Sequence, residues 1–310
     1  MFPAVVIAGP TASGKSDLAI DLALLLDGEI INADSCQIYK GAPLLSACPS
    51  ENEKQKIPHH LYEIYNPNVN GNVVDWLKLA IEKIEDCRSR KKVPIIVGGT
   101  GLYINNLVYG TTPIPKVSED IRKTVTEMIA NKGLMSVYDE LCSVDERISE
   151  RISPRDVCRI KRAMEVYLET GKNLSWWHSQ PLVQLLNNPW FFIIKLLPPK
   201  HELDKRCDAR FDKMMGNGAI EEVRSLTSLN LNNDCQIMQT IGICEIKKAL
   251  DGEHSIEEAV SLAKLHSRQY AKRQRTWFSR QLKADFEIAC CYDGQKEILS
   301  NVINCVKKTL

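Results

Sequence analysis

Gly9-Pro10-Thr11-Ala12-Ser13-Gly14-Lys15-Ser16 matches the pattern G-x-x-x-x-G-K-[ST] at every constrained position. A short apolar run, residues 4–8, leads into it, and residues 16–26 leave it with helical spacing. Strand, glycine loop and helix in that order make a cradle for phosphate. The glycines let backbone N–H groups turn inward, and the helix N-terminus adds positive potential. Lys15 would meet the terminal phosphate oxygens, and the Ser16 hydroxyl would hold Mg²⁺. All eight residues are therefore candidates for binding a diphosphate. Kinases, NTPases and transferases share such a loop, so it does not name the acceptor.

Outward from the loop, residues 29–33, 93–98 and 190–197 are short, apolar and rich in β-branched or aromatic side chains, and 286–292 is a further candidate strand. Helical patterns such as 74–88 lie between them. This alternation predicts an α/β fold: a P-loop NTPase-like parallel sheet core covered on both faces. The strand signal vanishes between Pro113 and Pro189. Thr112-Pro113-Ile114-Pro115 and Asn187-Asn188-Pro189 read as hinges. Between them, Ser118 predicts a helix with Ile121, Val125, Met128 and Ile129 on one face, ending at Gly133. A second helix runs from the cap Ser153-Pro154 to Gly171. Residues 113–189 are thus expected to form an inserted all-α domain. Residues 1–112 and 190–310 form the core, with helix breaks at Gly218 and Gly252.

A net charge of +1 over 310 residues excludes a general polyanion coat, so any nucleic-acid affinity must be concentrated on one face. Eleven cysteines occur without a C-x-x-C pair or zinc spacing, which points to reduced thiols in the cytoplasm. The run from Phe2 to Ala8 lacks a basic leader, and nothing approaches the roughly 20 apolar residues that span a bilayer. No membrane partner is expected.

Asn32-Ala33-Asp34-Ser35-Cys36-Gln37 leaves the second strand. Ligands of open parallel sheets lie beyond the C-terminal strand ends, so Asp34 should face the cleft beside the phosphate loop. There it could accept a proton or hold a metal; it could also merely cap a turn. The strand at 93–98 ends in Gly98-Gly99-Thr100-Gly101 and carries no carboxylate of the kind NTPases use for Mg²⁺. Thr100 offers a hydroxyl at the same edge.

Two basic stripes follow from helical spacing. Arg155, Arg159 and Arg162 occupy one sector, opposite Val157, Ile160, Met164 and Tyr167. Between Ala259 and Ala284 seven Lys/Arg residues occur without an acidic one, and Lys264, Arg268, Lys272 and Arg275 share a face. Unpaired stripes of this kind suit a phosphate backbone. Adjacent His59 and His60 point apart and read as structural. Trp176-Trp177-His178 could stack on bases or anchor the hinge.

The phosphate loop, residues 32–39, Pro58-His59-His60-Leu61, residues 97–103, 153–172 and 272–278 together resemble the bacterial tRNA dimethylallyltransferase family. The resemblance runs from about Val5 to Trp277. It implies transfer of a dimethylallyl group from dimethylallyl diphosphate to N6 of the adenine 3′ of a tRNA anticodon, by a cytoplasmic monomer using Mg²⁺. It implies Lys15, Asp34 and Thr100 as catalytic residues, with Thr100 bonded to the leaving oxygen and the metal on Ser16 and Asp34. It places the anticodon stem-loop against Asp34, Ser35, Cys36, Gln37, Thr100 and Arg122. Further contacts fall on Cys158, Arg159, Ile160, Lys161 and Arg162, and on Lys272, Arg273, Gln274, Arg275, Thr276, Trp277, Phe278 and Ser279. The chain departs from the family at Ala42-Pro43-Leu44-Leu45-Ser46-Ala47-Cys48, where Met-Asp-Ile-Gly-Thr-Ala-Lys is usual, and at Ile243-Cys244. The competing readings are a small-molecule P-loop kinase, a prenyltransferase acting on free adenine nucleotides, and a non-catalytic RNA-binding module.

Overall fold

The computed structural model describes residues 3–232 and 234–309; Phe2, the start of the apolar run, lies outside them. The chain divides into two compact units, one of Met1–Val108 with Leu186–Leu310 and one of Tyr109–Leu185. Each edge falls a few residues before the hinge read from sequence.

Among the described residues the larger unit is built on six strands: β1 (Ala4–Ala8), β2 (Gly28–Asn32), β3 (His59–His60), β4 (Val93–Gly98), β5 (Phe191–Leu196) and β6 (Phe286–Ile288). They pair in the order β3-β2-β4-β1-β5-β6, all parallel. Parallel neighbours need crossovers, which helices supply. These are α1 (Lys15–Leu26), α2 (Glu51–Lys56), α3 (Val73–Ser89) and α4 (Gly101–Tyr109). In the smaller unit lie α5 (Glu119–Lys132), α6 (Leu134–Val144), α7 (Val157–Thr170) and α8 (Leu174–His178). The larger unit then adds α9 (Lys200–Gly216), α10 (Ala219–Thr227), α11 (Ile243–Leu250), α12 (Ile256–Gln281) and α13 (Lys296–Thr309).

Alternation along the strands sorts the core into two layers. Val5, Ile7, Ile30, Ile95 and Ile194 face Leu18 and Leu22 of α1 and Val302 and Val306 of α13. Val6, Ile31, Ile96 and Ile193 face the other way, toward Trp76 of α3, Phe211 of α9 and Phe278 of α12. Each fully buried side chain of this size contributes about 1.5–3 kcal/mol.

Several elements differ from the sequence reading. β2 ends at Asn32 because the carbonyl of Ala33 leaves the ladder to accept from Thr100 N at 3.2 Å. β5 and β6 are shorter than the runs at 190–197 and 286–292. β3 has only two polar residues, too few to show periodicity. His60 Nε2 meets Glu29 at 2.7 Å, and His59 Nδ1 lies 2.8 Å from Ile57 O. Both histidines are structural. Buried Glu29 also pairs with Arg90, Nη2 to Oε2 at 2.8 Å, and this guanidinium, with His60, lowers its pKa to about 2. Cys87 completes a cluster of potential metal ligands with Glu29 and His60, but Arg90 already supplies the cation there.

In the smaller unit α5, α6 and α7 pack around Val125, Val137, Leu141, Ile160 and Met164. Ser118 does not cap α5 with its hydroxyl; its N and Oγ both donate to Glu169 at 2.8 Å. α7 begins at Val157, not after Ser153. Asp156 is its cap, accepting from Arg159 N at 3.1 Å. Arg155 therefore precedes the helix, and Val157 is exposed rather than packed.

Among the described residues no helix is long and apolar enough to cross a membrane.

Candidate active site

The phosphate loop closes as its sequence requires. Gly14 has φ 88°, and a Cβ there would lie 1.9 Å from Tyr292 O, so only glycine fits. Ser13 is fully buried, its Oγ is without a partner, and its carbonyl accepts from Tyr292 N at 2.9 Å. α1 starts at Lys15 with its first N–H groups turned to the loop. Fixed amides, a helix end and a lysine together fit an anion.

Beside it, the end of β2 builds a rigid turn. Asn32 Oδ1 accepts from Asp34 N at 2.8 Å, and Asp34 Oδ1 accepts from Cys36 N at 3.0 Å. Among the described residues no donor reaches the second carboxylate oxygen of Asp34. β4 comes close enough to hold this turn because Gly98 has no side chain; a Cβ would sit 2.1 Å from Ala33 O. Thr100 Oγ1 accepts from Ser35 N at 2.9 Å and donates to Ser35 Oγ at 3.2 Å. Its hydroxyl thereby braces the turn that carries Asp34.

Two residues from distant helices complete the corner. Arg210 of α9 donates from Nη2 to Thr11 Oγ1 at 2.6 Å. Gln274 of α12 accepts from Thr11 N and donates to Gly99 O, both at 2.8 Å, and so ties the phosphate loop to β4. A cavity of about 320 Å³ opens here. Thr11, Asp34, Ser35, Cys36 and Arg210 form its polar side, and Leu45, Phe211, Met214 and Ile241 its apolar side. α12 adds Ser267, Tyr270 and Arg273. Leu45 belongs to the segment that departs from the family. Glu222 holds that segment, accepting from Leu44 N at 2.8 Å and Leu45 N at 2.9 Å. Sequence reasoning missed Arg210, which sits among many charged residues of α9 with no local signal of its role.

Lys15 keeps part of its surface open, yet protein atoms crowd its ammonium and lower its pKa to about 8. Asp34 opposes that shift, and Arg210 adds to it. Desolvation likewise lowers the pKa of Arg210, against the pull of Cys207 and Asp34. Lys15 is charged below pH about 8 and loses its proton as pH rises through that value. Capture of an anionic donor, read as kcat/KM for that donor, should therefore fall above this pH. In Lys15→Arg the fall should move out of the accessible range, because guanidinium stays protonated. A profile unchanged by the substitution would assign the limb to another group.

Ser16 is exposed at the start of α1. A free carboxylate oxygen and a hydroxyl are hard donors, and this set suits Mg²⁺, which takes oxygen ligands and retains waters.

The basic faces are not quite those read from sequence. Lys264 pairs with Asp212 at 2.5 Å, Arg268 pairs with Asp208 at 2.6 Å, and Arg275 Nε donates to Pro198 O at 2.8 Å. This side of α12 packs on α9, so three of the four stripe residues are structural. The open side carries Lys272, Arg273, Thr276, Trp277 and Arg280 around a groove of about 520 Å³, with Ser279 also exposed. Phe278 and Ile160 are fully buried, and Gln274 nearly so, so they position helices instead of touching RNA. On the smaller unit Cys158, Arg159, Arg162 and Arg122 are exposed and Lys161 half-buried. Arg162 and Arg122 lie close enough to repel, which helps lower the Arg162 pKa after desolvation. Trp176 is exposed, with Lys172 Nζ 5.5 Å from its ring centroid.

Known proteins resemble this chain over most of its length. The family model for IPP transferase matches residues 37–281. The tRNA dimethylallyltransferase of Rickettsia canadensis is 38% identical over 293 residues, covering 94% of this chain and 90% of that protein. That of Parvibaculum lavamentivorans is 41% identical over 281 residues, covering 91% and 89%. The crystal structure of a tRNA isopentenylpyrophosphate transferase from Bacillus halodurans superposes with TM-score 0.70 at 31% identity, covering 100% of this chain and 98% of that one. A eukaryotic dimethylallyltransferase captured acting on tRNA superposes with TM-score 0.82 at 27% identity, covering 98% and 78%.

Proposed function

The chain belongs to the IPP transferase family, and on that premise we propose that it moves a dimethylallyl group from dimethylallyl diphosphate to N6 of the adenine 3′ of a tRNA anticodon. It is a prenyltransferase acting on tRNA. The observation that carries the finer reading is the shared cavity, where Asp34 lies beside Thr11 and Arg210 at the mouth of the phosphate loop. An ordinary P-loop kinase fits less well, because β4 (VPIIVG) brings no carboxylate to the loop.

The allylic C–O bond breaks, a C–N bond forms, and diphosphate leaves. Lys15, Arg210 and the loop amides hold the leaving oxygens and stabilise the charge that gathers on them. When bound, Mg²⁺ on Ser16 and Asp34, directly or through water, would neutralise part of that charge. The neutral amine is too weak an acid for a carboxylate to deprotonate first. Once the new bond begins to form, the nitrogen becomes strongly acidic and Asp34 takes its proton. Thr100 and Asn32 keep the carboxylate aimed. The adenine must leave its stack, at a cost of a few kcal/mol that is smallest in a single-stranded loop.

Lys272, Arg273 and Arg280, with Arg122, Arg159 and Arg162 on the smaller unit, are assigned to the RNA backbone of the anticodon stem-loop. We place the protein in the cytoplasm as a monomer. Lys272→Ala should weaken RNA binding and lower the slope of log K against log salt by about one, whereas Arg268→Ala should leave the slope alone. Equal slopes in both would refute this division of α12. The direct test of the reaction incubates the protein with dimethylallyl diphosphate, Mg²⁺ and unmodified tRNA. Mass spectrometry of the digested RNA should find isopentenyladenosine at one nucleoside; its absence would refute the proposal.

A further inference from the structure

Resting on the transfer reaction above, we infer that Leu45, Phe211 and Met214 form a wall that fits the cavity to a five-carbon donor and excludes longer prenyl chains. Arg210 and Met214 both line the cavity and both lie on α9. They are four positions apart, about one helical turn, or roughly 6 Å along the axis. Arg210 Nη2 meets Thr11 of the phosphate loop at 2.6 Å, so a diphosphate held there has its hydrocarbon facing the apolar lining of the same cavity, Leu45, Phe211 and Met214. A ten-carbon chain adds a second five-carbon unit, which the same cavity would also have to hold.

The wall has nowhere to retreat. Leu45 and Met214 are 6% exposed and Phe211 3%. The backbone of Gly242 packs so close that a Cβ there would lie 2.9 Å from Leu45 Cδ2 and 3.0 Å from Phe211 Cε2. Leu45 is fixed from its own side because Leu44 N and Leu45 N each donate to Glu222. A close-packed interior of this kind yields little to an oversized ligand. The segment in which this chain departs from its family thus contributes part of the donor pocket.

The test is a competition. The full chain is given unmodified tRNA, Mg²⁺ and equal concentrations of dimethylallyl and geranyl diphosphate, and the two adenosine products are counted by mass spectrometry. The unaltered protein should favour the five-carbon product by about 100-fold, and Met214→Ala or Phe211→Leu should each raise the ten-carbon share by about tenfold. Unaltered protein that transfers both groups within about twofold would overturn the inference without any variant. So would folded variants whose product ratio matches the unaltered one. If the unaltered protein formed neither product, the transfer reaction itself would fall, which separates the two failures.

Discussion

Asp34→Asn is expected to lower the single-turnover rate of prenyl transfer by about 10²–10⁴-fold, the range lost when a positioned proton acceptor is removed. The substitution is nearly isosteric. Asn32 still receives Asp34 N through its Oδ1 at 2.8 Å, and the new amide oxygen can accept from Cys36 N as Asp34 Oδ1 does at 3.0 Å. The turn should therefore persist, and RNA affinity should stay within about twofold, because the phosphate contacts that dominate affinity lie elsewhere. What is lost is an oxygen that can hold a proton. Comparing single-turnover rates and filter-binding constants for the two proteins checks both halves. Parallel loss of rate and affinity would make Asp34 an RNA ligand rather than a base.

Arg210→Ala is expected to cost about 10²–10³-fold in kcat, because it removes a cation aimed at charge that grows in the transition state. Arg210→Lys should recover only part of this. A guanidinium offers a planar fork for phosphate oxygens, and an ammonium offers a point charge. Arg210 also fixes Thr11 through its 2.6 Å bond, so the alanine variant loosens the phosphate loop itself. A Thr11→Val control separates the two contributions. It removes that bond and keeps the cation, so a much smaller loss is expected. If the control matches Arg210→Ala, the arginine acts by holding the loop and not by meeting the leaving group.

What the sequence disclosed follows from how local each feature is. The phosphate loop was legible because eight consecutive residues, Gly9 to Ser16, carry the whole constraint. β1 and β4 were legible because each apolar run ends at a glycine or loop signal. Asp34 could be placed at the cleft because strand ends in a parallel sheet point the same way. β3 was invisible because His59 and His60 pair only through β2. Arg210 was invisible for a different reason. Its role depends on α9 passing Thr11, a contact across 199 residues. The stripe on α12 misled because charge pairing is a tertiary property: Asp208 and Asp212 of α9 neutralise Arg268 and Lys264 from far away in sequence. Thr100 was placed at the correct edge, but its bonds to Ser35 were hidden because they join residues 65 apart in sequence.

The account rests on one carboxylate serving a diphosphate cradle and a purine amine from the same cavity. A structure of the protein with an anticodon stem-loop RNA and an unreactive thio-linked analogue of dimethylallyl diphosphate measures this directly. The prediction is that adenine N6 lies within about 2.6–3.2 Å of an Asp34 oxygen, with the diphosphate on the loop amides and the guanidinium of Arg210. An adenine amine more than about 5 Å from Asp34, or a diphosphate bound away from the loop, would contradict it.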